Sequence, residues 1–485
     1  MLLRRTANSL VVGIHRINRT MSANTLPTRP SAVMSDFGMA LQDALAKEMQ
    51  EMQDEAAGDD ETKDWLFRNT RAILKNNNKI QFAVRTGEQG ALVDGLIAEN
   101  TVNIANLLEK ISGKPLQRSG QLGHAIQAFT ETRMMEHFFN TGALAAPSVL
   151  QPCNDEEYMG AALGFAQVLS RYAVGRACDN DTASIAVCRT IITQLNAKML
   201  EFDFRNGPLR RKYDGLKYAL KNIEDITYEL SLLEDAGAVE AKVAAEEAAA
   251  EERPSKRARQ GSAGDDAMAE AKDELHLLPG AEIDAIRTRM DAYDKLREQV
   301  IKDSRDVQKL AKQAIFSVHR GNLKVSRTQL DDALSKANAI LALIADAPPL
   351  RNGAFGNSLE EWAEGVLTLE WAVSKRVVSK AEMQICNTAE YVGALSDFTG
   401  EIGRMAVAKA VKRDLDGVRE TLQADVAISS GLQQVNVGGK YTKKVEAVNT
   451  NLRKVEDVVY ELSMLRRGGK GKALEEAPVA SKEEE

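Results

Sequence analysis

Cysteine is scarce and scattered: Cys153, Cys178, Cys188 and Cys386 are the only four in 485 residues. No two form a C-x-x-C pair, so neither a disulfide framework nor a zinc site is indicated, and a reducing compartment is expected. Aromatic residues make up only 5% of the chain and prolines number 11, which suits helices better than sheets. Long apolar runs are missing, and no stretch reaches the length that spans a bilayer, so no membrane partner is expected. Positive charge is not in excess either. The formal net charge of −7 excludes a uniformly basic coat for nucleic acid, though not a local basic patch.

What is present is a helical, soluble composition: 44% apolar and 27% charged residues, over a length that accommodates two or three domains. Residues 1–35 hold Arg4, Arg5, Arg16, Arg19 and Arg29 with no acid before Asp36. That is the composition of an organellar transit peptide. The alternatives are a disordered extension, or a start at Met21 or Met34. Residues 36–236 carry apolar side chains at helical spacing, as in Val102, Ile104, Leu107, Leu108 and Ile111, with Gly, Pro or Asn punctuation between segments. Residues 237–275 turn Ala/Glu-rich, then basic, then Gly/Ser/Asp-rich. They read as a charged low-complexity linker, with a helical first part as one option. Within it, Arg253-Pro-Ser-Lys256-Arg257-Ala-Arg259 is either a nuclear-import type of cluster or charge for solubility. Helical periodicity returns over 276–468, and 469–485 reads as a polar, disordered tail. The predicted fold is all-α, in two tandem helical-bundle domains.

The two halves repeat one another. Lys221–Leu233 reads KNIEDITYELSLL and Arg453–Leu465 reads RKVEDVVYELSML. Tyr228 pairs with Tyr460 at a spacing of 232, and Tyr158 with Tyr391 and Arg171 with Arg404 at 233. A near-constant offset over so long a stretch marks duplication of a whole domain.

The stretch 358–404 of the second repeat concentrates acid. Glu361 and Glu364 share one face of a predicted helix that continues into Val366, Leu367, Leu369, Trp371 and Val373. In the next helix Asp397 and Glu401 form an acidic row beside the apolar stripe Tyr391, Leu395, Phe398, Ile402 and Met405. Acidic rows on neighbouring buried helices are costly unless a cation neutralises them, and a hard divalent ion takes oxygen ligands of this kind. The plain alternative is a solvated E-x-x-E face and a Glu401–Arg404 ion pair. In the first repeat Glu364 falls on Glu131, but Glu361 falls on Ala128, Asp397 on Gly164 and Glu401 on Val168.

Leu209-Arg-Arg-Lys-Tyr-Asp-Gly-Leu-Lys-Tyr218 with the following IEDITYELS resembles the C-terminal signature of the translin family. The second half resembles its translin-associated factor X (TRAX) branch. That likeness rests on Asp303-Ser-Arg-Asp, Ile315-Phe-Ser-Val-His-Arg320, Glu361-Trp-Ala-Glu364 and Tyr391-Val-Gly-Ala-Leu-Ser-Asp-Phe-Thr-Gly-Glu401. The resemblance covers roughly residues 100–235 and 275–467 and describes a natural fusion of two partners that are usually separate chains. It implies lobes of about seven helices, a hollow octameric barrel, and binding of single-stranded RNA and DNA. Self-assembly into a higher oligomer follows, with separate translin subunits as further candidate partners.

The resemblance also implies a Mg²⁺-dependent endoribonuclease, with Mn²⁺ as a substitute, acting in small-RNA passenger-strand removal or tRNA processing. Its acidic site falls on Glu361, Glu364 and Asp397 as metal ligands, with Glu401 a further ligand or the base that orients water. Candidate phosphate contacts are Lys114, Arg118, His124, Arg133 and Arg351, each of which also reads as plain surface charge. Lys212, Lys217 and Lys221 are assigned to packing and solubility, His137 to the edge of the core, and Trp362 and Trp371 to packing rather than base stacking. Cytoplasm and nucleus are the expected locations, with mitochondrion or plastid as the alternative through residues 1–35. The rival functions are a non-catalytic nucleic-acid scaffold and a helical adaptor for protein partners.

Overall fold

The computed structural model describes residues 36–87, 90–112, 118, 120–251, 277–435 and 440–468. The N-terminal extension, the basic cluster of the linker, Lys114 and the C-terminal tail lie outside them. Among the described residues the chain forms twelve α-helices, two 3₁₀ turns and no strand. The first repeat holds α1 (Asp36–Arg85), α2 (Ala91–Ile111), α3 (Gln121–Thr141), a 3₁₀ turn (Pro147–Leu150), α4 (Asp155–Cys178), α5 (Thr182–Met199) and α6 (Pro208–Glu251). The second holds α7 (Gly280–His319), α8 (Leu323–Leu343), a 3₁₀ turn (Pro348–Arg351), α9 (Ala354–Ser374), α10 (Thr388–Val411), α11 (Leu415–Leu432) and α12 (Lys440–Gly468). Each repeat thus has seven helical elements in the same order. Helix α6 runs on through the Ala/Glu-rich start of the expected linker. No described helix is long and apolar enough to cross a membrane.

Local chemistry explains the shared element borders. Asn154 and Asn387 each open a helix with a capping box. Their side chains accept from the backbone of Glu157 and Glu390, whose carboxylates accept in return. Asp181 and Asp414 cap α5 and α11 by accepting from Ser184 and Gly417. Tyr158 and Tyr391 are both buried and both donate at 2.9 Å to a backbone carbonyl thirteen residues upstream, Ala145 and Val378. Gly142 ends α3 in the left-handed region at φ 75°, where a side chain would be strained.

Compact packing does not follow the sequence borders at 236 and 276. One body, here the C-terminal body, comprises residues up to Glu55, Val307–Ser335 and Asn357 onward; the N-terminal body comprises Ala56–Asp306 and Lys336–Gly356. The beginning of α1 is therefore part of the C-terminal body. Its Phe37 ring lies 6.2 Å from the Trp371 ring, and Met49, fully buried, fills the space over Gly431. Glu48 accepts from the Lys380 backbone, and Glu55 pairs with Lys380 and Thr388. The beginning of α7 is likewise part of the N-terminal body, where Ile283 and Ile286 join the core. Around them Glu282 accepts from Ser148 at 3.0 Å, Arg289 forks onto Asp155, and Arg205 reaches Asp294 and Glu298. Helical periodicity states that these segments bury a face, not which body receives it.

In the N-terminal body α4 is the central helix, packed on α3, α5 and α6; in the C-terminal body α10 packs on α11 and α12 in the same way. The ends of α1 and α7 also match. Thr70/Ser304, Ile73/Val307, Ile80/Ala314 and Val84/Val318 are buried pairs at one constant spacing.

Candidate functional site

Helix α9 carries Glu360, Glu361 and Glu364 into the interior of the C-terminal body because the residues around them are apolar. Leu359, Ala363, Leu367, Leu369 and Trp371 are buried, while Val373 emerges at the helix end. Trp362 is buried with its indole N–H donated to the Leu330 carbonyl at 3.1 Å, so both tryptophans pack rather than stack on bases. Helix α10 presents Asp397 and Glu401 from beside its buried stripe of Tyr391, Leu395, Phe398 and Ile402.

Glu364 is the centre of the arrangement. It is only 9% exposed, and its carboxyl is pushed up to about 8, first by burial and then by repulsion from Asp397, Glu361 and Glu401. Four acids therefore share one electrostatic neighbourhood, as the two-row reading expected. Burial also raises Glu361, against the pull of Lys312 at 3.7 Å and Gln308 at 3.5 Å. Asp397, on the more open side, is held by Lys444. Glu401 is held by Arg404 at 3.1 Å and by His319 Nε2.

No three His, Cys, Asp or Glu side chains among the described residues converge as a metal cage. The donor set itself consists of carboxylates, the ligands hard divalent cations take. Glu364 sits buried among like charges with no ion-pair partner among the described residues. In donor chemistry the residues fit such an ion.

Four side chains escaped the sequence reading. Glu360, 5% exposed, accepts from Tyr441 at 2.6 Å and from Lys444 at 2.8 Å. Lys444 thereby bridges Glu360 and Asp397. Burial disfavours its ammonium, but those two hydrogen bonds outweigh that and raise its pKa. His319 arrives from the end of α7 to meet Glu401. The duplication held a signal for Glu360 and Lys444. Glu360 falls on Gln127 and Lys444 on Lys212, so a polar side chain and a lysine persist where nothing local asks for them.

The proposed phosphate contacts fare differently. Arg118 is committed to the fold: its guanidinium forks onto Glu157 at 2.7 and 3.0 Å and also reaches the Pro152 carbonyl. Arg133 is half-buried, 3.8 Å from Glu136. His124 is exposed on the first turn of α3, and Arg351 is half-buried at the end of its 3₁₀ turn. All four belong to the N-terminal body, whereas the acids belong to the C-terminal body. His137 is half-buried, at the edge of the core as expected.

In the first repeat the same position is built differently. A Cβ added at Gly164, where the second repeat has Asp397, would lie 2.3 Å from Glu131 Oε2. Glu131 thus occupies the room left by the missing acid. Lys212, assigned from sequence to packing and solubility, is half-buried and donates to the Gly160 carbonyl at 3.0 Å.

The translin family model matches residues 61–233 and again residues 295–466. The first match begins well before residue 100, where the resemblance read from the sequence started. Translin from Gallus gallus is 35% identical over 77 residues, 16% of this chain and 34% of that protein. Translin from Homo sapiens is 34% identical over 77 residues, with the same coverage of 16% and 34%. The chain thus spans about a third of the length of the curated relatives it matches. Among solved structures, that of apo-NeC3PO aligns with 38% of this chain and 98% of that chain at 18% identity, with a TM-score of 0.35. That of AfC3PO aligns over the same shares at 16% identity and a TM-score of 0.36.

Proposed function

The chain belongs to the translin family and carries the family's domain twice, and from that premise we propose that it binds single-stranded RNA or DNA and cleaves RNA with Mg²⁺ held in the C-terminal body. The second repeat then acts as the TRAX-type partner and the first as the translin-type partner within one polypeptide. The observation that carries this reading is Glu364, buried among three further acids in one body and left with a single carboxylate counterpart in the other.

Glu361, Glu364 and Asp397 would hold Mg²⁺, or Mn²⁺ in its place. When bound, such an ion lowers the pKa of a coordinated water and draws charge from a non-bridging phosphoryl oxygen. Glu401, paired with His319, takes the proton of the attacking water at a carboxylate oxygen. Lys444 offers the phosphodiester an ammonium beside Asp397, and Tyr441 with Glu360 orients that lysine. Burial keeps bulk water from Glu364 and strengthens each of these electrostatic contacts. Passenger-strand fragments and tRNA fragments are the substrates proposed, the cytoplasm and nucleus the compartments, and self-assembly through the domains the quaternary state.

A second reading, a nucleic-acid scaffold without catalysis, is favoured by the basic partners already seated on Asp397 and Glu401. Substituting Glu361→Ala together with Glu364→Ala separates the two. Cleavage of single-stranded RNA is expected to vanish while RNA affinity in chelator stays within about threefold, because removed acids contact metal rather than RNA. EDTA is expected to abolish cleavage and added Mg²⁺ to restore it. Undiminished cleavage by the double variant, or in EDTA, refutes the carboxylate site.

A further inference from the structure

We infer that Phe316 is the stacking platform of the acidic site, on which one unpaired base of the strand lies while Lys312 and Arg320 hold the phosphates to either side. The inference rests on the nuclease reading and deepens it, since it names the feature of the strand that the site recognises.

Helix α7 runs beside the acids along one of its faces. Gln308, Lys312 and His319 recur there at helical spacing. Gln308 donates to Glu361 at 3.5 Å, Lys312 reaches the same carboxylate at 3.7 Å, and His319 meets Glu401. Phe316 comes four residues after Lys312 and three before His319. Its ring therefore stands on that face, between a contact to the acidic row of α9 and a contact to that of α10.

An exposed apolar side chain is ordinary by itself, but the company of this one is not. Phe316 is 60% exposed, whereas Ile315, Ser317 and Val318 beside it are buried. Lys312 and Arg320, four residues to either side, are exposed as well. The Arg320 guanidinium carbon lies 5.5 Å from the ring centroid, within the range of a cation–π contact. Its backbone N–H donates to the Phe316 carbonyl at 3.3 Å, which carries the helical spiral one residue past the end of α7. The exposed line thus reads cation, ring, cation, and it borders the acids through Lys312. A single strand has the complementary order of phosphate, base, phosphate, and rings flanked by cations are what such strands stack on. A base inside a duplex is already covered on both faces, so a platform of this kind takes an unpaired one. Trp362 and Trp371 are buried and cannot serve.

The first repeat keeps the ring and not the charges. Phe82, 66% exposed, falls on Phe316, but Asn78 falls on Lys312 and Thr86 on Arg320. The charged row accompanies the four acids, as expected of a track that leads a strand to them.

The test uses the full chain in EDTA, where cleavage does not run. It reads by anisotropy the binding of a fluorescein-labelled oligouridylate and of an abasic ribose-phosphate strand of equal length. The unsubstituted protein is expected to prefer the strand with bases by about tenfold or more. Phe316→Ala is expected to lose roughly tenfold on the oligouridylate and to stay within about twofold on the abasic strand, as removal of one stacking contact does. Phe316→Trp is expected to keep or enlarge the preference. Arg320→Gln should weaken both strands alike and lower the slope of log affinity against log salt by about 0.7 for the phosphate no longer neutralised. Because the ring is exposed, Phe316→Ala is expected to leave the melting temperature and the mass by light scattering unchanged. An undiminished preference for bases in Phe316→Ala, or an equal loss on both strands, overturns the inference. So does a fall in mass, which would show that the ring meets a second copy of the chain. The nuclease reading fails separately: if the Glu361→Ala, Glu364→Ala variant still cleaves while Phe316→Ala loses the preference, the acidic site falls and the platform stands. An unsubstituted protein that binds neither strand overturns both.

Discussion

Asp425 offers the sharpest test of the packing described here. It lies on α11, fully buried, with both carboxylate oxygens lacking a hydrogen-bond partner. The first repeat has Ile192 at this position, equally buried. Burial, with some repulsion from Glu456, pushes the Asp425 carboxyl from its ordinary value of 3.8 up to about 7. Below about pH 4 the group is protonated in both the folded and the unfolded chain and adds no pH dependence. Between there and about pH 7 the unfolded chain ionises while the folded one holds its proton, so stability falls as pH rises. Above about pH 7 the loss is complete. At about 1.4 kcal/mol per tenfold change in proton affinity it amounts to at most about 4 kcal/mol. Asp425→Ile removes that penalty and adds apolar burial, against an overpacking cost of about 1–3 kcal/mol. The variant's advantage should therefore grow by roughly 2–4 kcal/mol between pH 5 and pH 8, whatever its absolute value. Urea unfolding followed by tryptophan fluorescence, with Trp362 and Trp371 reporting on the C-terminal body, measures it at each pH. An advantage that does not change with pH refutes the argument, because only ionisation of Asp425 makes it grow.

Two further perturbations probe what holds the acidic site and the start of α1. Lys444→Met takes the ammonium from the buried Glu360–Lys444 pair and should cost about 3 kcal/mol, as broken buried pairs do. Adding Glu360→Gln, the residue type the first repeat uses, should recover most of it, and chemical denaturation that shows no recovery would count against the Glu360–Lys444 pair. Gly431→Ala puts a Cβ 2.8 Å from Met49 Cγ, so about 1–3 kcal/mol of overpacking is expected. Hydrogen exchange should then quicken over residues 36–55 in particular, and Met49→Ala in the same chain should relieve it.

The fold class was legible because helical periodicity and short polar punctuation are local properties. So was the duplication, whose register survives in the capping boxes at Asn154 and Asn387 and in the carbonyl-seeking tyrosines. The acidic neighbourhood was legible as well, since Glu361 and Glu364, and Asp397 and Glu401, each recur at helical spacing. Its partners were not. Lys444 and His319 come from helices far along the chain, and a lysine or histidine on a helix carries no mark of which carboxylate it will meet. Arg118 was open to a phosphate reading until its fork onto Glu157 was seen, for an arginine's spacing does not tell whether an acid is waiting inside.

What the sequence by itself determined is therefore the kind of structure and the inventory of charge: helices, two copies, four acids kept in one and all but Glu131 replaced in the other. Tertiary structure alone decided ownership and compensation. It assigned the beginning of α1 to the body formed by the second repeat and the beginning of α7 to that of the first. It also left Glu364 buried with no ion pair among the described residues while giving Asp397 and Glu401 theirs. The physical reason is range. Backbone hydrogen bonding and amphipathic spacing act within a few residues, whereas the balance between desolvation and Coulomb attraction depends on which distant segments share the same interior.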